Sequence, residues 1–266
     1  MTVEDGALGA VWDLLEAGEH EEALALAERR LSQDPDDVEA LHLAGCALAD
    51  AGRLPEGEAR VREALRRDPD YDGARESLAG MLYATCRFEE GAQEARLLVR
   101  AAPEYAPAHY LLGVLLDMLG QRREADEHIA RASRLDPEGF PAAAAFDRKE
   151  FDAAVEEALE GLPEQFRRHV VSLPILVEDV PTPALLAELP EPSPDLFGLF
   201  VGVALPEQSH ADLHTTPTAI YLFKRNLERA SPDRASLVEE IRVTLLHEVG
   251  HYLGMDEDNL HEAGYG

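Results

Sequence analysis

Fifty-three acidic residues against 24 basic ones give this 266-residue chain a net charge of −29, with 45% hydrophobic and 29% charged residues. That length accommodates two ordinary domains, each burying its own core, and the charge balance excludes phosphate backbones and anionic membrane surfaces as partners. The opening MTVEDGALGAVWDLLEAGEH carries acids where a secretory leader needs a basic start and an apolar run.

No stretch reaches the ~18 uninterrupted apolar residues of a membrane span. Cys46 and Cys86 are too few for a disulfide framework. The expectation is a cytoplasmic protein with two reduced thiols.

From the N-terminus, one period holds at several columns. Pro35, Pro69, Pro103 and Pro137 stand 34 residues apart. Gly18, Gly52, Cys86 and Gly120 keep the same step, as do Ala23, Gly57, Gly91 and Ala125, and Val11, Gly45, Ala79 and Gly113. A pair of helices per repeat explains this. Small residues let the two helices approach, glycine supplies a left-handed turn between them, and proline stops the second helix.

The pattern resembles the tetratricopeptide repeat family, whose unit is a helix-turn-helix of about 34 residues. It covers about residues 4–137, four repeats. The resemblance implies an all-α solenoid with a concave groove that binds a protein partner. The groove positions it implies include Trp12, Glu16, His42, Asp50, Glu76, Tyr83, Tyr110 and Asp117. Carboxylates and aromatics there suit a basic or apolar protein or peptide rather than an acidic tail. Cys86 replaces the turn glycine, and Gly57 and Gly91 replace the family's usual alanine, so the third repeat is expected to be the least regular.

Beyond Pro137 the columns fail and a second domain begins. Phe151, Ala154, Val155, Ala158 and Leu159 fit a helical period that ends at Gly161-Leu162-Pro163. Strands are expected at about Leu173–Glu178, Leu196–Leu205 and Thr218–Lys224. Between the first two, PTPALLAELPEPSPD reads as a surface excursion. A long helix then starts with Ser231 as N-cap, Pro232 at the first position and Asp233 in the first turn. It runs to Gly254, which closes its end. The order gives a small α+β domain. The expected division is 1–140 for the repeats and 141–266 for this domain.

On the long helix stands His-Glu-x-x-His. His247 and His251 are four residues apart, so both rings leave one face and can converge on one ion. Glu248 is placed to take a proton from the attacking water rather than to ligate. Leu245, Leu246, Val249 and Leu253 supply the buried face. Fifteen residues follow His251, too few for a third ligand on a further helix. In the arrangement His-Glu-x-x-His-x-x-Gly-x-x-ligand, the count places Glu257 at the ligand position after Gly254, with Asp256 and Asp258 as register-shifted alternatives and His261 a poorer one. A carboxylate is a legitimate zinc ligand.

This half, with FDAAVEEALEGLPEQF, ILVEDVP, DLFGLFVGV and AIYLFKRNLE beside the motif, resembles the bacterial minimal-zincin family of zinc metallopeptidases. The resemblance implies a zincin-like α+β fold, with zinc on His247, His251 and an acid at position 257. His210 and His214, also four apart, lie among prolines and threonines that argue for a loop. Tyr221, Tyr252 and Tyr265 are possible oxyanion donors or packing residues. The expected function is a zinc-dependent peptidase or amidase with a tetratricopeptide interaction module. The alternative is a tetratricopeptide adaptor whose zinc site is vestigial or structural.

Overall fold

The computed structural model describes residues 5–170, 173–205, 218–256 and 259–260. The chain divides into two compact units, residues 1–140 and 141–266.

The first unit is a run of helical hairpins: α1 (Asp5–Glu16) with α2 (His20–Gln33), α3 (Val38–Asp50) with α4 (Leu54–Arg67), α5 (Asp72–Ala84) with α6 (Phe88–Ala101), and α7 (Ala106–Met118) with α8 (Arg122–Leu135). Each hairpin closes by the same two hydrogen bonds. In the second repeat, Gly52 N–H donates to the Ala49 carbonyl at 2.9 Å and Arg53 N–H to the Leu48 carbonyl at 2.8 Å. These satisfy carbonyls that the helix end would otherwise strand. Inside a hairpin the backbones nearly touch: a Cβ on Gly57 would lie 2.6 Å from the Gly45 carbonyl oxygen. The small-residue columns are therefore helix-crossing points. Leu41, Leu43, Val61, Leu78 and Leu82 form part of the core beneath them.

The third repeat is not less regular. Cys86 adopts φ 58, beside 76, 77 and 70 at the three equivalent glycines. Its N–H reaches the Tyr83 carbonyl at 2.9 Å and that of Arg87 reaches Leu82 at 2.8 Å. The turn's hydrogen bonds hold a non-glycine residue in the left-handed region, and α5 and α6 keep the lengths of the corresponding helices.

The second unit opens with α9 (Arg148–Glu160), capped by Asp147 and Glu150, each of whose side chains accepts from the other's backbone N–H. Short α10 (Glu164–Val170) follows, then β1 (Ile175–Glu178), α11 (Pro183–Leu186), β2 (Gly198–Val201), β3 (Ala219–Phe223), α12 (Lys224–Ala230) and α13 (Arg234–Tyr252). The sheet order is β1-β3-β2, with β1 parallel and β2 antiparallel to the central β3. Phe151, Val155, Ile220, Leu222, Leu237, Ile241, Leu245 and Val249 fill the core between sheet and helices.

Three details correct the sequence reading. The long helix is capped by Asp233, whose Oδ1 accepts from Ser236 N–H at 2.8 Å. Ser231 instead ends α12, its N–H bonded to the Glu228 carbonyl. That short helix was hidden by its direct run-on from β3. The Pro-rich excursion also contains a helical turn, because Thr182 caps Pro183–Leu186 and Leu186 is fully buried. The second strand is four residues long rather than ten.

Candidate metal centre

The centre is built on α13. Its Ser236–Tyr252 stretch carries a buried face of Leu237, Ile241, Leu245 and Val249 against the sheet and α9, and this fixes which residues turn the other way. His247 and His251, one turn apart, both stand half-buried on that other side. Their Nε2 atoms are 3.0 Å apart and the rings meet edge-to-face at 84°. Two nitrogens each ~2.0–2.1 Å from one tetrahedral ion would be separated by about 3.3 Å. The pair is therefore close to ligating geometry before any ion is considered.

Second-sphere order is also present. His251 Nδ1 lies 3.3 Å from the Met255 carbonyl, which can only accept, so that nitrogen carries the proton and Nε2 is the lone-pair nitrogen of the neutral ring. The Met255 carbonyl is delivered by the helix end. Gly254 at φ 84 bonds to the His251 carbonyl, and Met255 N–H to that of Gly250, both at 3.0 Å. The chain then returns, and Leu260 packs fully buried on Gly250.

Glu248, between the two histidines in sequence, is held by the neighbouring strand. It is 6% exposed, and its Oε2 accepts from the Phe200 N–H of β2 at 2.6 Å. Strand and helix can lie this close because residue 198 lacks a side chain: a Cβ there would sit 2.5 Å from Thr244 Cγ2 and 3.2 Å from Glu248 Cγ. The motif identified Glu248, but Phe200 and Gly198 were missed. A backbone N–H leaves no trace in a sequence, whereas a glycine within an apolar strand run was a usable signal of close approach.

The other expected residues divide plainly. Glu257, Asp258, His261, His210, His214 and Tyr265 lie outside the described residues. Asp256 is exposed and its Oδ1 accepts from Asn259 N–H at 2.9 Å and Nδ2 at 2.7 Å, so its carboxylate caps the following turn. Tyr252 is buried with its ring 5.7 Å from that of Phe200, and Tyr221 stacks with Phe223. Among the described residues, no cluster of three His, Cys, Asp or Glu side chains is arranged to hold a metal.

Residues 170–265 match the zincin-like metallopeptidase family. This zincin-like segment contains all three sheet strands and the whole of α13. None of the curated proteins matches the chain. Solved structures similar to the N-terminal part include the following two. MamA (41-end) from Desulfovibrio magneticus RS-1 is 27% identical, with 50% of this chain and 76% of that one covered and a TM-score of 0.46. TTC0263, a thermophilic TPR protein of Thermus thermophilus, is 22% identical, with 64% and 91% covered and a TM-score of 0.48.

In the repeat unit the expected groove positions separate by burial. Trp12, Glu16 and Asp50 are exposed, and Glu76, Tyr83 and Tyr110 are half-buried. His42 and Asp117 are 1% and 2% exposed, and so are not offered to a partner. His42 instead contacts Tyr71 Oη at 3.1 Å and Ser77 Oγ at 2.8 Å. Tyr105, which the groove reading missed, donates to Glu76 at 2.8 Å. Among the described residues, no helix is long and apolar enough to cross a membrane.

Proposed function

We propose that the chain is a zinc-dependent hydrolase of peptide or amide bonds whose helical repeat unit serves as a protein-interaction module. The observation that carries this reading is the approach of two imidazole nitrogens to 3.0 Å on one face of α13, beside a buried carboxylate. The match to zincin-like metallopeptidases supports it.

In this reading His247, His251 and Glu257 hold the metal. When bound, zinc supplies Lewis-acid activation of water and of the scissile carbonyl. Glu248 accepts the proton of the attacking water and delivers it to the leaving amine. The hydrogen bond from Phe200 N–H fixes the orientation of that carboxylate. Among the described residues β2 has one strand neighbour, β3, so an extended peptide adding along its other side would lie beside Glu248. The repeat unit recruits a basic or apolar protein segment in the cytoplasm.

The test is zinc per chain after dialysis at neutral pH, for wild type, Glu257→Ala and Glu248→Gln, with a peptide-library assay on each. Wild type should hold about one zinc more than a His247→Ala/His251→Ala variant, and Glu257→Ala clearly less than wild type, as expected of a three-ligand site. Glu248→Gln should keep its zinc while hydrolysis falls by roughly 10²–10⁴-fold. Zinc retained in Glu257→Ala would sink the choice of third ligand. A metal-free wild type would leave the adaptor reading, with a vestigial site.

A further inference from the structure

We propose that His109 and His128 form a second transition-metal site, inside the helical repeat unit, between the facing helices α7 and α8. It rests on observations separate from those at α13. The two Nδ1 atoms lie 2.8 Å apart, with ring centroids at 5.0 Å and planes 30° from parallel. This is the same signature, two imidazole nitrogens within 3.0 Å of one another, that marks the His247–His251 pair.

The tautomers are set by the surroundings. His109 is 7% exposed, and its Nε2 lies 3.1 Å from the Pro103 carbonyl oxygen. A carbonyl can only accept, so Nε2 carries the proton of the neutral ring and Nδ1 is left as a lone-pair donor. A backbone carbonyl on the far nitrogen is how proteins orient metal-ligating histidines. His128 is half-buried opposite, and without a metal its Nδ1–H donates to His109 Nδ1. Moving its proton to Nε2 frees Nδ1 at no cost in charge, which puts a lone pair on each of two nitrogens 2.8 Å apart.

The local field favours a cation. Glu124, one turn before His128 on α8, and Glu127 both act on His128 electrostatically, and Arg96, 3.6 Å from Glu124, offsets part of that. Two imidazoles with the remaining positions left to water suit Cu²⁺, Zn²⁺ or Ni²⁺ rather than Mg²⁺ or Ca²⁺.

The experiment uses the full chain carrying His247→Ala and His251→Ala, so that the α13 pair contributes nothing. It is equilibrated with Zn²⁺ and separately with Cu²⁺, dialysed, and its metal counted, with helicity followed by circular dichroism. About one equivalent should remain, with nitrogen hyperfine splitting in the Cu²⁺ spectrum, as two imidazole ligands require. Adding His128→Ala, or His128→Gln, which keeps a hydrogen-bonding side chain of similar reach, should remove that equivalent while helicity is unchanged. The proposal is overturned if the double variant holds no metal, or if either folded His128 variant retains it. The pair would then be only a hydrogen bond between two helices.

Discussion

His42 shows how far one buried ring can set the behaviour of its unit. Packed edge-on between Trp12 and Tyr71 and bonded at both nitrogens, it is 1% exposed, and burial lowers its pKa from 6.5 to about 4. The folded state therefore refuses a proton that the unfolded chain accepts. Stability from this residue is fully present above the unfolded value of 6.5 and is lost as pH falls toward 4. Between pH 7 and 5.5 the loss amounts to about 1 kcal/mol. Acid-range carboxylates such as Glu56 and Glu90, held low by arginines, contribute only below that window. His128, also lowered, adds in the same direction. Trp12 is the chain's single tryptophan, 6.0 Å from the His42 ring, so its fluorescence reports this unit. Urea midpoints at the two pH values should converge in His42→Phe, even though that variant is less stable at pH 7. An equal pH slope in both proteins would show that other groups carry it.

Among the elements, the turn at Cys86 carries a testable strain. A residue with a Cβ in the left-handed region costs roughly 1–2 kcal/mol, and glycine removes that while adding freedom to the unfolded chain. Cys86→Gly should therefore raise stability by about 0.5–1 kcal/mol, measured as a higher thermal midpoint with unchanged helicity. A lower midpoint would mean that the half-buried thiol contributes packing that outweighs the strain. Successive hairpins are also joined by arginines reaching to the next or previous repeat: Arg60 to Glu28 and Arg87 to Glu58 at 2.7 Å, and Arg67 to Asp36 at 2.6 Å.

At this scale the helix pairs were legible because a 34-residue recurrence of small residues and turn residues is a physical requirement of stacked hairpins. The α13 motif was legible for the same kind of reason, since two histidines four apart can only share a helix face. What was not legible depended on contacts distant in sequence. The burial of His42 depends on Tyr71 and Ser77, and the orientation of Glu248 on a backbone N–H 48 residues away. Short α12 escaped because β3 leads straight into it, leaving no turn residue to mark its start.

For the whole molecule, charge is the property that no single element explains. A net −29 on 266 residues must repel itself, and the arginine bridges offset only part of that, because exposed pairs are worth little each. The unneutralised field extends about 8 Å into solvent at physiological salt. A basic segment approaching the repeat unit is then drawn in before it makes contact, and its association should be fast and strongly dependent on salt. An extended Lys/Arg-rich peptide should bind the full chain at low ionic strength and weaken by roughly tenfold or more as salt rises from about 50 to about 500 mM. A Glu-rich peptide of equal length should not bind at either. Calorimetric titration of both peptides, with Trp12 fluorescence as a second readout, checks this. Salt-insensitive binding of the basic peptide, or none at low salt, would move the partner to the apolar class. Exposed Trp12 and Tyr105 would then be the anchors to mutate, because they are large rings left open to water on a surface otherwise crowded with carboxylates.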